Sequence, residues 1–196
     1  DITFDATTDK ETVVNMTNHS YFNLNGDPSK EGTNIVLYVN ADNFTPADNT
    51  YMTTGEIKSV EGTPMDFRKA HAISETINDT TYDQIKNATG YDHNWCLNTY
   101  KDGKGDDTKV CASLYSPITG ILLEMYTNEP GVQVYTGNFQ GTGIACKHGI
   151  KYPKHVSVCL ESQKYPDSPN KKDWPSPYLK PGEKYHSHVA YKFSIK

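Results

Sequence analysis

Lys109-Val110-Cys111-Ala112-Ser113-Leu114-Tyr115, Ser116-Pro117-Ile118-Thr119-Gly120 and Ile121-Leu122-Leu123-Glu124-Met125-Tyr126 follow one another without a break, and the fold turns on how they are read. Two runs of strand length, rich in apolar and β-branched residues, flank five residues with turn formers at both ends. That pattern predicts an antiparallel hairpin. Further candidate strands lie outward on both sides, at residues 2–7, 12–17, 34–40, 132–135, 156–161 and 188–195. One short helix is expected at residues 80–88, with Asp79 or Thr80 as cap and Gly90 as stop. Many short strands punctuated by Gly, Pro and Asn, with no internal repeat or linker, predict one all-β domain, a sandwich or barrel of antiparallel strands.

A chain of 196 residues is long enough to bury a real core without staples. Its 24 acidic against 19 basic residues give no cationic footprint for nucleic acid or an anionic membrane, so no nucleic-acid or membrane partner is expected. No run is long and apolar enough to span a bilayer. Asp1-Ile2-Thr3-Phe4 lacks the basic and apolar regions of a signal peptide and reads as the middle of a strand. Fourteen tyrosines suit both strands and surfaces that grip polar ligands through apolar faces. Cys96, Cys111, Cys146 and Cys159 show no metal spacing; three sit in apolar runs and read as buried free thiols. The stretch 165–185 carries five prolines, yet its Trp174, Tyr178 and Leu179 favour a packed loop.

Four segments hold the residues that could do chemistry. They are Asn15-Met16-Thr17-Asn18-His19-Ser20-Tyr21-Phe22-Asn23-Leu24, Gly90-Tyr91-Asp92-His93-Asn94-Trp95, Glu129-Pro130-Gly131-Val132-Gln133-Val134-Tyr135-Thr136-Gly137-Asn138-Phe139 and Val158-Cys159-Leu160-Glu161-Ser162-Gln163. Singly, each has a plain alternative: a histidine among polar neighbours is commonly a hydrogen-bonded structural residue, and a Glu ending an apolar strand is commonly a solvated edge charge. In order and wording, however, they resemble the aldose 1-epimerases. So do Gly62-Thr63-Pro64-Met65-Asp66-Phe67-Arg68, Pro166-Asp167-Ser168-Pro169-Asn170 and Leu179-Lys180-Pro181-Gly182-Glu183.

The resemblance covers essentially the whole chain and implies a large antiparallel β-sandwich of the galactose mutarotase type that interconverts the α and β anomers of free hexoses such as glucose or galactose. It implies Glu161 as catalytic base and His19 as catalytic acid, with Asp92 and Gln133 bonding sugar hydroxyls and Ser20 and Tyr21 shaping the pocket. Carboxylate and imidazolium suit the paired roles, since each favours the charged form of the other. No metal or organic cofactor is needed, because the electrons never leave the sugar.

The family also carries a further histidine and a sugar-contacting arginine well upstream of the acid. Here 18 residues precede His19 and Arg68, the single arginine, belongs to another motif. The resemblance therefore implies the C-terminal portion of such a protein, catalytically poor by itself. His93 is expected to orient or seal the pocket. His71, His148 and His155 read as exposed, and His186 and His188 as one solvated strand face. The Asn-x-Ser/Thr patterns at Asn15, Asn18, Asn78 and Asn87 read as chance. Two other classes fit less well: a non-catalytic carbohydrate-binding domain would not need the His19–Glu161 pair, and a sugar-phosphate epimerase would need a cluster of cations.

Overall fold

The computed structural model describes residues 1–196. In chain order the strands are β1 (Ile2–Ala6), β2 (Thr12–Val13), β3 (Val36–Val39), β4 (Asn43–Thr45), β5 (Lys58–Ser59), β6 (His71–Ala72), β7 (Asp92–Cys96), β8 (Tyr100–Lys101), β9 (Lys104–Gly105), β10 (Ala112–Tyr115), β11 (Ile121–Thr127), β12 (Gly131–Tyr135), β13 (Cys159–Gln163), β14 (Tyr178–Leu179) and β15 (Tyr185–Ile195); one short helix is α1 (Asp83–Ala88). A six-stranded sheet runs β1-β15-β11-β10-β3-β6 and a five-stranded sheet runs β13-β12-β7-β4-β5; every pairing is antiparallel.

The predicted hairpin is β10–β11, with Ala112 opposite Met125 and Tyr115 opposite Leu122. Its loop closes because the buried Ser116 hydroxyl accepts the Ile118 and Thr119 amides. Gly120 takes φ +74°, a left-handed conformation that costs glycine nothing. Along both strands alternate residues point inward, as period two requires. Leu114, Leu123 and Met125 meet Leu37 and Val39 of β3, and across the layer Phe44, Trp95, Val132, Val134 and Leu160 of the smaller sheet; all belong to one cluster of 25 buried residues. Each side chain of this size contributes about 1.5–3 kcal/mol by leaving water.

Several expected boundaries shift, each for a local reason. The strand expected at residues 12–17 is reduced to β2, paired with β14 of the proline-rich loop. Beyond it the Asn15 side chain takes the ladder bonds, donating to the Lys164 carbonyl and accepting the Lys164 amide. The strand expected at 156–161 is displaced to Cys159–Gln163, because His155 turns the chain with φ +58°. Helix α1 starts later than expected: Asp79 is spent on the Thr81 amide, and Tyr82 is the N-cap without a side-chain bond. Its end at Thr89 and Gly90 lies where the glycine placed it. The loop 165–185 is packed: Trp174 is buried edge-on to Tyr165, and Leu179 is buried.

Strand β7 was not anticipated. Its middle residues His93, Asn94 and Trp95 are buried and its ends half-buried, so the polar Asp92 and Asn94 read as a motif rather than as one side of a strand.

Candidate active site

The five-stranded sheet has two unlike faces. Cross-strand partners place Asp92, Asn94 and Cys96 of β7, Gly131, Gln133 and Tyr135 of β12, and Cys159, Glu161 and Gln163 of β13 on one of them. The intervening residues Trp95, Val132, Val134 and Leu160 point into the core. Period two thus sorts polar from apolar residues, and the polar face floors a cavity of about 480 Å³. His19, Tyr21, Tyr51, Asp92, Gln133, Tyr135, Phe139, Glu161, Gln163 and Pro166 line it.

His19 reaches this floor from a segment without regular structure that runs along the free edge of β13. Asn15 fastens one end to Lys164, and Phe22 fastens the other through a two-way amide–carbonyl bridge to Val158. Between these points His19 and Tyr21 project the same way, stacked at 4.9 Å, with Tyr135 edge-on to both. His19 Nε2 stands 3.5 Å from Glu161 Oε1. Ser20 lies between two residues that face the cavity and does not line it; its amide donates to the Asn18 side chain.

A chain of amides organises the remaining floor. Gln133 Nε2 donates to Asp92 Oδ1 at 2.8 Å, while Gln163 Nε2 donates to Gln133 Oε1 at 3.0 Å and to Asn94 Oδ1 at 3.2 Å. Gly131 leaves room for it, because a Cβ there would lie 2.3 Å from Asn94 Oδ1. Burial, aided by the nearby Asp92 charge, pushes the Glu161 carboxyl up to about 7. Burial also raises Asp92, opposed by the Gln133 hydrogen bond and by His19.

Of the residues expected from sequence, His19, Tyr21, Asp92, Gln133 and Glu161 meet at one cavity. Gln163, Tyr135, Phe139, Tyr51 and Pro166 were missed as cavity residues; for Gln163 the strand period from Glu161 was a usable signal.

His93 does not seal the pocket. It alternates to the core face, packed edge-on to Phe44 and Trp95, where burial lowers it to about 4. His155 is buried rather than exposed, bonded through Nδ1 to the Thr136 carbonyl, and His71 is half-buried against Phe67. His186 contacts Asp5, and His188 bridges Asp107 and Asp1, so that strand face is hydrogen-bonded to carboxylates. Arg68 is forked onto Asp66 and touches Asp42, away from the cavity. Its motif supports β7 from behind: Trp95 Nε1 donates to the Met65 carbonyl and Tyr91 Oη to the Pro64 carbonyl. The four thiols are free; Cys111 and Cys159 are buried, Cys96 is half-buried and Cys146 is exposed. One group could hold a metal ion: donor atoms of His19, Cys159 and Glu161 lie within 4.8 Å of one another.

Comparison with known proteins gives a consistent result. A family described as aldose 1-epimerase matches residues 1–192. The galactose mutarotase of Mus musculus is 41% identical over 194 residues, which cover 99% of this chain and 54% of that protein. An aldose 1-epimerase of Escherichia coli is 42% identical over 195 residues, covering 98% and 54%. Among solved structures, an aldose epimerase homologue from C. elegans superposes with a TM-score of 0.82 at 28% identity, over 98% of this chain and 55% of that one. The chain spans about half the length of the curated relatives it matches.

Proposed function

This chain belongs to the aldose 1-epimerase family, and on that premise we propose that its cavity binds a free hexose, such as glucose or galactose, and interconverts the α and β anomers. The observation that carries the reading is the His19–Glu161 pair at the cavity floor. Mutarotation needs a base at the anomeric hydroxyl and an acid at the ring oxygen. Both oxygens sit on one carbon, so the two catalytic groups have to stand close together, as these two do.

Glu161 takes the hydroxyl proton while His19 gives one to the ring oxygen, and the ring opens to an aldehyde. After rotation about the bond between C1 and C2, the ring hydroxyl attacks the other face of the carbonyl. His19 recovers its proton and Glu161 returns the one it took, so no proton is gained or lost. A carboxyl near 7 is a stronger base than an ordinary glutamate and matched to neutral conditions. Asp92 and Gln133, already bonded to each other, offer acceptor and donor to sugar hydroxyls. The faces of Tyr21, Tyr135 and Phe139 suit the apolar C–H faces of a pyranose.

No lysine or arginine lines the cavity, which disfavours a phosphorylated sugar. Polarimetry of freshly dissolved α-hexose with this chain tests the proposal. Optical rotation that relaxes faster than the spontaneous rate, and no faster with Glu161→Gln, supports it. Sugar binding without acceleration, both in this chain and in a parent protein of the relatives' full length that contains it, would instead make this a carbohydrate-binding domain.

A further inference from the structure

Cys159 shares the cavity-side face of β13 with Glu161 and Gln163, and the proposed reaction gives its thiol no role. It is fully buried, yet it stands outside the hydrophobic cluster between the sheets, whereas the equally buried Cys111 is a member. Its cross-strand partner is Tyr135, and Glu161 follows two residues later on the same face. His19 comes over the pair from the segment fastened along the strand edge.

An imidazole nitrogen, a thiol sulfur and a carboxylate oxygen thereby lie within 4.8 Å of one another. On a tetrahedral ion with bonds of about 2.0–2.3 Å, donor atoms sit roughly 3.3–3.6 Å apart. His19 Nε2 and Glu161 Oε1, at 3.5 Å, already have that spacing. The sulfur has to close by about 1 Å, on the same geometric argument. His19, whose side chain is 48% exposed and carried by irregular backbone, has open space in which to make that adjustment.

We propose that His19, Cys159 and Glu161 form a three-ligand site for a soft or borderline divalent cation of the Zn2+ or Cd2+ kind. Thiolate and imidazole select such ions, whereas Mg2+ and Ca2+ prefer sets of oxygen ligands. The fourth position faces the cavity and is open to water. Binding forms a metal–sulfur bond and releases the thiol proton to solvent; nothing is oxidised or reduced. The ion occupies the atoms that mutarotation uses, so it acts as an inhibitor. That consequence rests on the proposed catalytic reading, while the binding itself does not.

Co2+ titrated into the full chain, with its four thiols reduced, provides the test, followed by absorption. The expected result is a saturable sulfur-to-cobalt charge-transfer band. It persists in Cys146→Ser, which removes the exposed thiol, and is absent from Cys159→Ser. His19→Asn changes a half-exposed residue outside the core and should demand at least about tenfold more cobalt, the scale on which even outer ligand partners act. A band that survives Cys159→Ser, a band lost only with Cys146→Ser, unaltered affinity in His19→Asn, or no band at all would overturn the site. In the polarimetric assay, Zn2+ should raise the apparent KM for sugar, reversibly on addition of a chelator. Turnover indifferent to saturating Zn2+ would overturn the shared use of His19 and Glu161. Cobalt binding of the expected pattern, with no acceleration of mutarotation either by this chain or by a full-length parent that contains it, would sink the catalytic reading and leave the cation site standing.

Discussion

His19 Nε2 and Glu161 Oε1 face each other at 3.5 Å, although 141 positions of sequence separate them and their exposures differ sharply, 48% against 10% for the side chains. The buried partner is the carboxylate. Burial makes it more basic, while the imidazole stands largely in contact with solvent. This asymmetry supports the proposed roles, Glu161 as base and His19 as acid.

Removing either group should suppress catalysis. Glu161→Gln and His19→Asn are each expected to lower the mutarotation rate by ~10² to 10⁴, the usual contribution of a positioned base or acid. Near-normal polarimetric rates in a folded variant would strip that residue of its role.

The pH profile should report the raised carboxyl. As the proposed base, Glu161 would act only when ionised, so kcat/KM should climb with pH through an acid limb near 7 instead of the ordinary glutamate range. Asp92→Asn removes a charge that opposes ionisation, so the limb should move toward lower pH. A limb that stays near 4.5 in the unaltered chain would show that Glu161 is not the titrating base.

Stability carries the same signature with a definite sign. Folding raises the Glu161 carboxyl from 4.5 to about 7, so between these values the folded chain holds more protons than the unfolded one. This group's contribution is therefore fully present below 4.5, falls as pH rises to about 7, and is flat above. Glu161→Gln lacks the charge and should be more stable than the parent at neutral pH by about 1–2 kcal/mol, after allowing for partial solvent screening. Urea melts of both chains at acid and neutral pH provide the comparison; a variant less stable at neutral pH would contradict the burial argument.

Gln163 holds Gln133, which in turn holds Asp92. Gln163→Ala should raise KM about two- to tenfold, the value of one hydrogen bond of roughly 0.5–1.5 kcal/mol, with a smaller effect on kcat. Combined with Gln133→Ala, the effects should be less than additive, because the two act through one network. Strict additivity would mean that the amides work separately.

Gly131→Ala tests how tightly that network is housed. The new methyl would lie 2.3 Å from Asn94 Oδ1 and 3.0 Å from the Tyr165 ring, so a loss of about 1–3 kcal/mol in stability is expected, together with a raised KM. Wild-type stability by denaturant melting would show that β7 and β12 can part there without cost.

Local pattern was enough for part of this molecule. The β10–β11 hairpin, the end of α1 at Gly90 and the predominance of short antiparallel strands follow from period-two alternation and turn chemistry, which act over a few neighbouring residues. His19, Asp92, Gln133 and Glu161 stood out because they sit in ordered segments with a family resemblance. Pairing between distant segments decided the rest. Strand β7 is held by β4 and β12 on either side, and its mixed composition hides the alternation. His93 and His155 entered the interior because a strand face and a hydrogen bond to Thr136 took them there, against the average behaviour of histidine. The fastening of residues 15–22 along β13 brings His19 to Glu161, and with it Cys159, into one cluster. Burial then raises the carboxyl, because desolvation depends on what surrounds a side chain in space and leaves no trace in the residues beside it.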